Sequence, residues 1–155
     1  MSTATMNSIE REVVVEVPVS RVWKALTDVA EFSQWFRVRA KGKFQPGARV
    51  DMVSTYPGHE GIEFYVIVEE MQPERRFSWK WHPGGDQRDR PADEPPTLVV
   101  FELTPEAKGT RVKVTETGFD KISLVRRARV FEDNSGGWKQ QMENLRKYVD
   151  AASKS

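Results

Sequence analysis

From Leu124 to Ala152, the residues Leu124, Ala128, Phe131, Ser135, Trp138, Met142, Leu145, Val149 and Ala152 follow one another at alternating spacings of four and three. That is the period of one continuous face of an α-helix, and a face this long needs a broad apolar surface to cover. Gly136 and Gly137 interrupt the helix at a cost of about 1 kcal/mol each relative to alanine. The favoured reason is close approach of the helix backbone to a sheet; a kink is the alternative.

The chain before that helix supplies strands. Ile9–Val17 alternates, with Ile9, Val13, Val15 and Val17 on one side and Glu10, Glu12 and Glu16 on the other, so one face is buried. Pro18 ends this strand, and the period then changes to that of a helix through Val19, Val22, Trp23 and Leu26, with Ser20 as a candidate cap. Asp28 can cap a second short helix through Phe32 and Trp35, making residues 19–36 a bent pair. Six further strands are predicted at Val38–Phe44, Ala48–Tyr56, Ile62–Met71, Arg76–His82, Thr97–Thr104 and Arg111–Thr117. The Pro and Gly turns between them favour antiparallel neighbours. The expected architecture is α+β: about seven antiparallel strands in a curved meander wrapped around the C-terminal helix, with two short helices after the first strand.

The length of 155 residues fits a single domain, expected at 9–152 between a tail at 1–8 and another at 153–155. Lys and Arg total 24 against 23 Asp and Glu, so no net field favours nucleic acid or an anionic membrane. Cys is absent, which excludes disulfides, thiolate nucleophiles and Cys-ligated metal. The N-terminal residues lack the basic and apolar regions of a signal peptide, and no apolar run approaches the roughly 20 residues of a membrane span. A cytoplasmic protein without membrane insertion is expected. Phosphate-cradling glycine motifs and a nucleophile elbow are missing too, so no cofactor is predicted.

Phe77, Trp79 and Trp81 alternate on one predicted strand, Phe64, Val66 and Val68 on another, and Val99, Phe101 and Leu103 on a third. Pattern alone leaves open whether these fill a solid core or line a cavity. Four motifs bear on that choice: Val19–Asp28 with Trp35–Phe36, Pro73–Trp81, Thr110–Phe119, and Gly136–Gly137–Trp138 with Leu145 and Tyr148 beyond. In this order and spacing, over residues 9 to 152, they resemble the START-like (SRPBCC) superfamily, in the branch similar to the activator of heat-shock-protein-90 ATPase. The resemblance implies a helix-grip fold enclosing a hydrophobic cavity. Members of the superfamily bind lipids, sterols, hormones and polyketides, cyclise polyketides, or act as co-chaperone domains.

Against that background the expected pocket wall is Trp35, Phe36, Phe64, Trp79, Trp81, Phe101, Phe131 and Trp138, with Tyr56 or Tyr65 as orienting groups. Glu116 lies in phase with Val112 and Val114, so its carboxylate points toward the helix, where it could orient a ligand or serve as the one weak candidate for acid/base work. The alternative is that an Arg or a backbone amide satisfies it. His59 and His82, a loop and a strand-end histidine, form no metal motif together, and no metal site is expected. Lys121, Arg126, Arg127 and Arg129 read as a solvated face. The Pro- and charge-rich loop 83–96 is either a lid or a passive insertion.

The leading expectation is a soluble, non-enzymatic binding protein for a small hydrophobic molecule, lipid-like or aromatic, held between sheet and helix. The alternatives are a co-chaperone-like module with a chaperone as partner, bearing on the stress response, and a polyketide cyclase-like enzyme. The protein is expected to be a monomer or homodimer.

Overall fold

The computed structural model describes residues 7–84 and 90–153. The expected tails lie largely outside the described residues, and so do residues 85–89 of the loop read as lid or insertion. Strand β1 (Ser8–Val15) leads into helices α1 (Val19–Thr27) and α2 (Val29–Phe36). Six strands follow: β2 (Val38–Ala40), β3 (Arg49–Ser54), β4 (Glu63–Gln72), β5 (Arg76–Trp81), β6 (Thr97–Glu106) and β7 (Gly109–Thr117). A 3-10 turn at Phe119–Lys121 precedes helix α3 (Leu124–Ser153).

The strands form one antiparallel sheet in the order β1-β7-β6-β5-β4-β3-β2. β2 to β7 run as the expected meander, and β1 adds to the far edge through a pairing that sets Val13 opposite Val112 and Ile9 opposite Glu116. The result is the α+β helix-grip arrangement, with α3 lying against the inner sheet face.

The bent helix pair has a local cause. Asp28 closes α1 and starts α2, its carboxylate accepting the Glu31 N–H at 3.1 Å, as an N-cap does. Ser20 makes no cap: Pro18 takes the N-cap position in extended backbone, and α1 begins after it without a side-chain bond to its free amides. Val22, Ala25 and Leu26 of α1 are fully buried. Arg21 and Tyr148 both bond Glu31, at 2.8 and 2.9 Å, tying both short helices to α3.

Strand limits shift by up to four residues from the sequence reading, and two of the shifts have a visible cause. β2 stops at Ala40 rather than Phe44 because Gly42 takes left-handed backbone (φ 98°), which turns the chain out of the ladder. Phe44 nevertheless packs edge-on to Phe32 at 5.2 Å. β1 stops at Val15, where the Val17 carbonyl turns to accept the Thr110 hydroxyl at 2.8 Å. At that corner a Cβ on Gly109 would stand 1.9 Å from the Val15 carbonyl oxygen, so the close backbone approach occurs here. It does not occur at Gly136 or Gly137, where an added Cβ would meet nothing within 4 Å.

Candidate functional site

Strand β5 pairs Phe77 with Phe101, Trp79 with Val99 and Trp81 with Thr97, so three large rings project in line from one sheet face. Trp79 is fully buried, ringed by Phe32 at 5.8 Å, Phe77 at 5.6 Å, Phe101 at 5.4 Å and Trp138 at 6.3 Å. Trp35 donates its indole N–H to the Ala25 carbonyl at 2.8 Å and is likewise core. Phe131 packs edge-on to Phe119 at 5.2 Å, beside the 3-10 turn. Of the expected wall, then, Trp35, Trp79, Phe101, Phe131 and Trp138 do not line the cleft between sheet and helix.

Phe36, Phe64 and Trp81 do. They face a cleft of about 610 Å³ between α3 and the β2–β5 end of the sheet. The junction of α2 and β2 contributes Phe36, Arg37 and Val38. The β3–β4 connection adds Ser54, Tyr56, His59 and Ile62, and the end of β5 adds His82–Gly84. Helix α3 closes the side with Asp133 and Asn134, Gly136 and Gly137, and Gln140 and Gln141. The two glycines thus leave room in the cleft where side chains would stand. Tyr65 lies on the opposite sheet face under the Arg49 guanidinium, 3.9 Å from its ring centre.

Glu116 sits directly behind this wall and is completely buried. Its register opposite Val99, with Trp81 opposite Thr97, brings donors from three elements onto one carboxylate. Oε2 accepts the Trp81 indole N–H at 2.8 Å and the Thr97 hydroxyl at 2.6 Å. Oε1 accepts the Asn134 amide and the Trp138 indole, each at 2.8 Å. Four donors fill the acceptor capacity of a carboxylate, and this is how a buried one is tolerated. Among the described residues neither an Arg nor a backbone amide is involved. Two of the donors, Trp81 and Asn134, are themselves cleft-lining, so Glu116 fixes the wall from behind.

A second buried carboxylate is held differently. Glu94 pairs with Arg126, both side chains being all but inaccessible, and also accepts the Ser123 N–H at 3.0 Å. Arg126 further donates to the Pro83 carbonyl at 3.1 Å, so it joins both described ends of the 83–96 loop to the start of α3. The solvated-face reading holds for Lys121 and Arg129, which are exposed, and is corrected for Arg126. An isolated buried guanidinium would be too costly without such a partner. Burial, together with the charges of Arg90 and Arg126 and against that of Glu94, pushes the His82 imidazole below its ordinary 6.5.

The sequence reading missed Arg37, Ser54, Ile62, Asn134, Gln140 and Gln141 as lining residues. A signal existed for the helix side: Asn134, Gly137 and Gln141 repeat at spacings of three and four, a polar stripe beside the apolar one. Among the described residues, no group of three or more His, Asp or Glu side chains is placed to hold a metal ion, and no helix is long and apolar enough to cross a membrane.

Comparison with known proteins adds identity to this geometry. No curated protein matches the chain. Its fold is similar to protein MLL2253 from Mesorhizobium loti, with a TM-score of 0.76 at 22% identity, covering 93% of this chain and 97% of that one. It is also similar to the Aha1 dimer from Colwellia psychrerythraea, with a TM-score of 0.71 at 15% identity over 92% and 96% of the two chains. DynU16, a protein in the dynemicin biosynthetic locus, gives a TM-score of 0.70 at 21% identity, covering 94% of this chain and 48% of that one. At these identities the likeness establishes the fold alone. The family model described as activator of Hsp90 ATPase homolog 1-like protein matches residues 16–150, and the chain therefore belongs to that family.

Proposed function

We propose that the protein binds a small hydrophobic molecule in the cleft between α3 and the β2–β5 end of the sheet. The observation that carries this reading is the cleft itself: about 610 Å³, with aromatic walls at Phe36, Phe64 and Trp81 and polar groups at its edges. That volume and that mixture suit a small-molecule site. Glu116 serves as an anchor for the wall. Its oxygens are occupied by four protein donors, which leaves none to face a ligand and gives a cyclase-like acid/base role no support.

The test is native mass spectrometry of the protein after incubation with a lipophilic extract of its source cells. A discrete bound mass is expected, and Gly137→Leu, which fills the cleft from α3 without touching the core, is expected to abolish it. Only the unliganded mass, beside a control protein that does take up lipid, would overturn the reading.

Family membership supports a second, surface-acting reading as a co-chaperone-like module. Leu124 and Val125 at the start of α3 are 80% and 71% exposed, and exposed apolar pairs of this kind suit a protein contact. Indifference of a heat-shock-protein-90 ATPase rate to the added protein, together with a negative pull-down, would remove this reading.

A further inference from the structure

Arg37 departs from the backbone rule that governs its neighbours. It ends α2 in the left-handed region (φ 63°, ψ 65°), a conformation that costs a residue with a Cβ on the order of 1 kcal/mol. The structure holds it there from both sides: its N–H donates to the Ser33 carbonyl at 3.1 Å, and its carbonyl accepts the Thr55 N–H at 3.0 Å. The consequence is that the side chain stands at the cleft with its guanidinium over the Tyr56 ring, 5.6 Å from the centroid. A glycine would satisfy that backbone with less strain, so the arginine stands here at a conformational cost.

The charges around it are arranged asymmetrically. Among the described lining residues Arg37 is the one Lys or Arg side chain, and among the described residues no carboxylate pairs with it. Among the described lining residues the one carboxylate, Asp133, belongs to the other end. Gln141 donates to the Phe36 carbonyl at 2.9 Å, which sets Gln141 beside Arg37. Asp133 lies eight residues earlier on α3, about 12 Å along the helix axis. The rings of Phe36, Phe64 and Trp81 line the same cleft, and Trp81 stands 6.3 Å from Phe36 and 6.0 Å from Phe64, which makes them one continuous apolar wall.

We infer that the ligand of this cleft is a hydrophobic carboxylic acid, its apolar body against Phe36, Phe64 and Trp81 and its carboxylate on the Arg37 guanidinium. This rests on the cleft being a ligand site. A planar guanidinium presents paired donors that match the two oxygens of a carboxylate, and its stacking on Tyr56 holds the donor fork in place. An acid lying this way keeps its charge away from Asp133, whereas a hydrophobic amine of the same length would meet Arg37 at one end.

The test uses a matched pair of probes, pyrenebutanoic acid and pyrenebutanol, titrated into the whole protein at neutral pH, with energy transfer from tryptophan to pyrene as the readout. The acid is expected to bind about tenfold more tightly than the alcohol. Arg37→Gly, which suits the left-handed backbone and so keeps the fold, is expected to erase that margin, bringing the acid to the same affinity as the alcohol. Arg37→Lys is expected to keep part of the margin, since the charge remains and the fork does not. Equal binding of the two probes, with Arg37→Gly silent, would overturn the inference and leave the cleft reading standing. Failure of both probes to bind would overturn both.

Discussion

Trp79 and Trp81 project from the same face of one strand, about 7 Å apart along it, and stand in different environments. Trp79 is closed over by Phe32 of α2 and Trp138 of α3 and has no exposed surface. Trp81 touches Phe64 at 6.0 Å and Trp138 at 5.9 Å on two sides and borders the cleft on a third. The strand treats them alike, so the difference comes from what the helices lay over them. Above Trp79 the helices bring rings that close it in; at Trp81, beside Phe36 and Trp138, α3 also brings two glycines and polar side chains. The same aromatic stripe is therefore a core at one end and a candidate binding wall at the other. One buried carboxylate marks the boundary, since Glu116 bonds Trp81 and Asn134 on the cleft and Trp138 in the core.

The largest effect should separate the two tryptophans. Trp79→Ala is expected to cost about 3–5 kcal/mol in denaturant unfolding, as for other fully buried aromatics, and to cost distinctly more than Trp81→Ala. Equal costs would break the comparison. Next in size is the boundary. In Glu116→Gln an amide NH2 replaces one acceptor facing two donors, and a loss of about 1–3 kcal/mol is expected, together with weaker binding at the cleft as Trp81 and Asn134 lose their anchor. A variant as stable as the parent would show that the four-donor network is not what holds the wall.

The helix side should respond with opposite sign. Gly137→Ala meets open space and removes a poor helix former, so a gain of about 0.5–1 kcal/mol is expected, with reduced affinity for any cleft ligand. A loss of stability would mean that the glycine has a packing role after all. The smallest effect is on pH dependence. His82 has its folded-state pKa lowered by burial and by Arg90 and Arg126, against Glu94, so the unfolded chain takes up its proton more readily. Its contribution is fully present above 6.5 and lost progressively as pH falls below that value. His82→Asn should flatten the stability profile in that window, and an unchanged profile would place the loss elsewhere.

Much of the fold was legible because its determinants are local. Alternation located the seven strands, Asp28 announced the break between the two short helices, and the four-and-three stripe gave the extent of α3, although at its start Arg126 and Val130 are buried while the stripe's Leu124 and Ala128 are exposed. Glu116 was correctly placed facing inward by its phase with Val112 and Val114. Its donors were not legible, because they come together only through the β5–β6–β7 register and one face of α3. The cleft was harder still. Phe64 and Trp81 carry the same pattern as Val66 and Trp79, and only the position of α3 tells the pairs apart. Arg37 gave no signal, since a left-handed arginine looks like any helix-terminal arginine in a one-dimensional string. Arg126 misled for a related reason: its neighbours in sequence are solvated, while its partner Glu94 lies across a loop.

The central claim is that the cleft end, and not the core end, receives a ligand. Each tryptophan indole N–H gives its own signal in a proton–nitrogen correlation spectrum, so a titration with pyrenebutanol reads both ends at once. The Trp81 signal is expected to shift with saturating dependence on the probe, while the Trp35 and Trp79 signals, sealed in the core, hold still. A probe that binds while leaving Trp81 unmoved, or that moves Trp79 as much, would contradict the account.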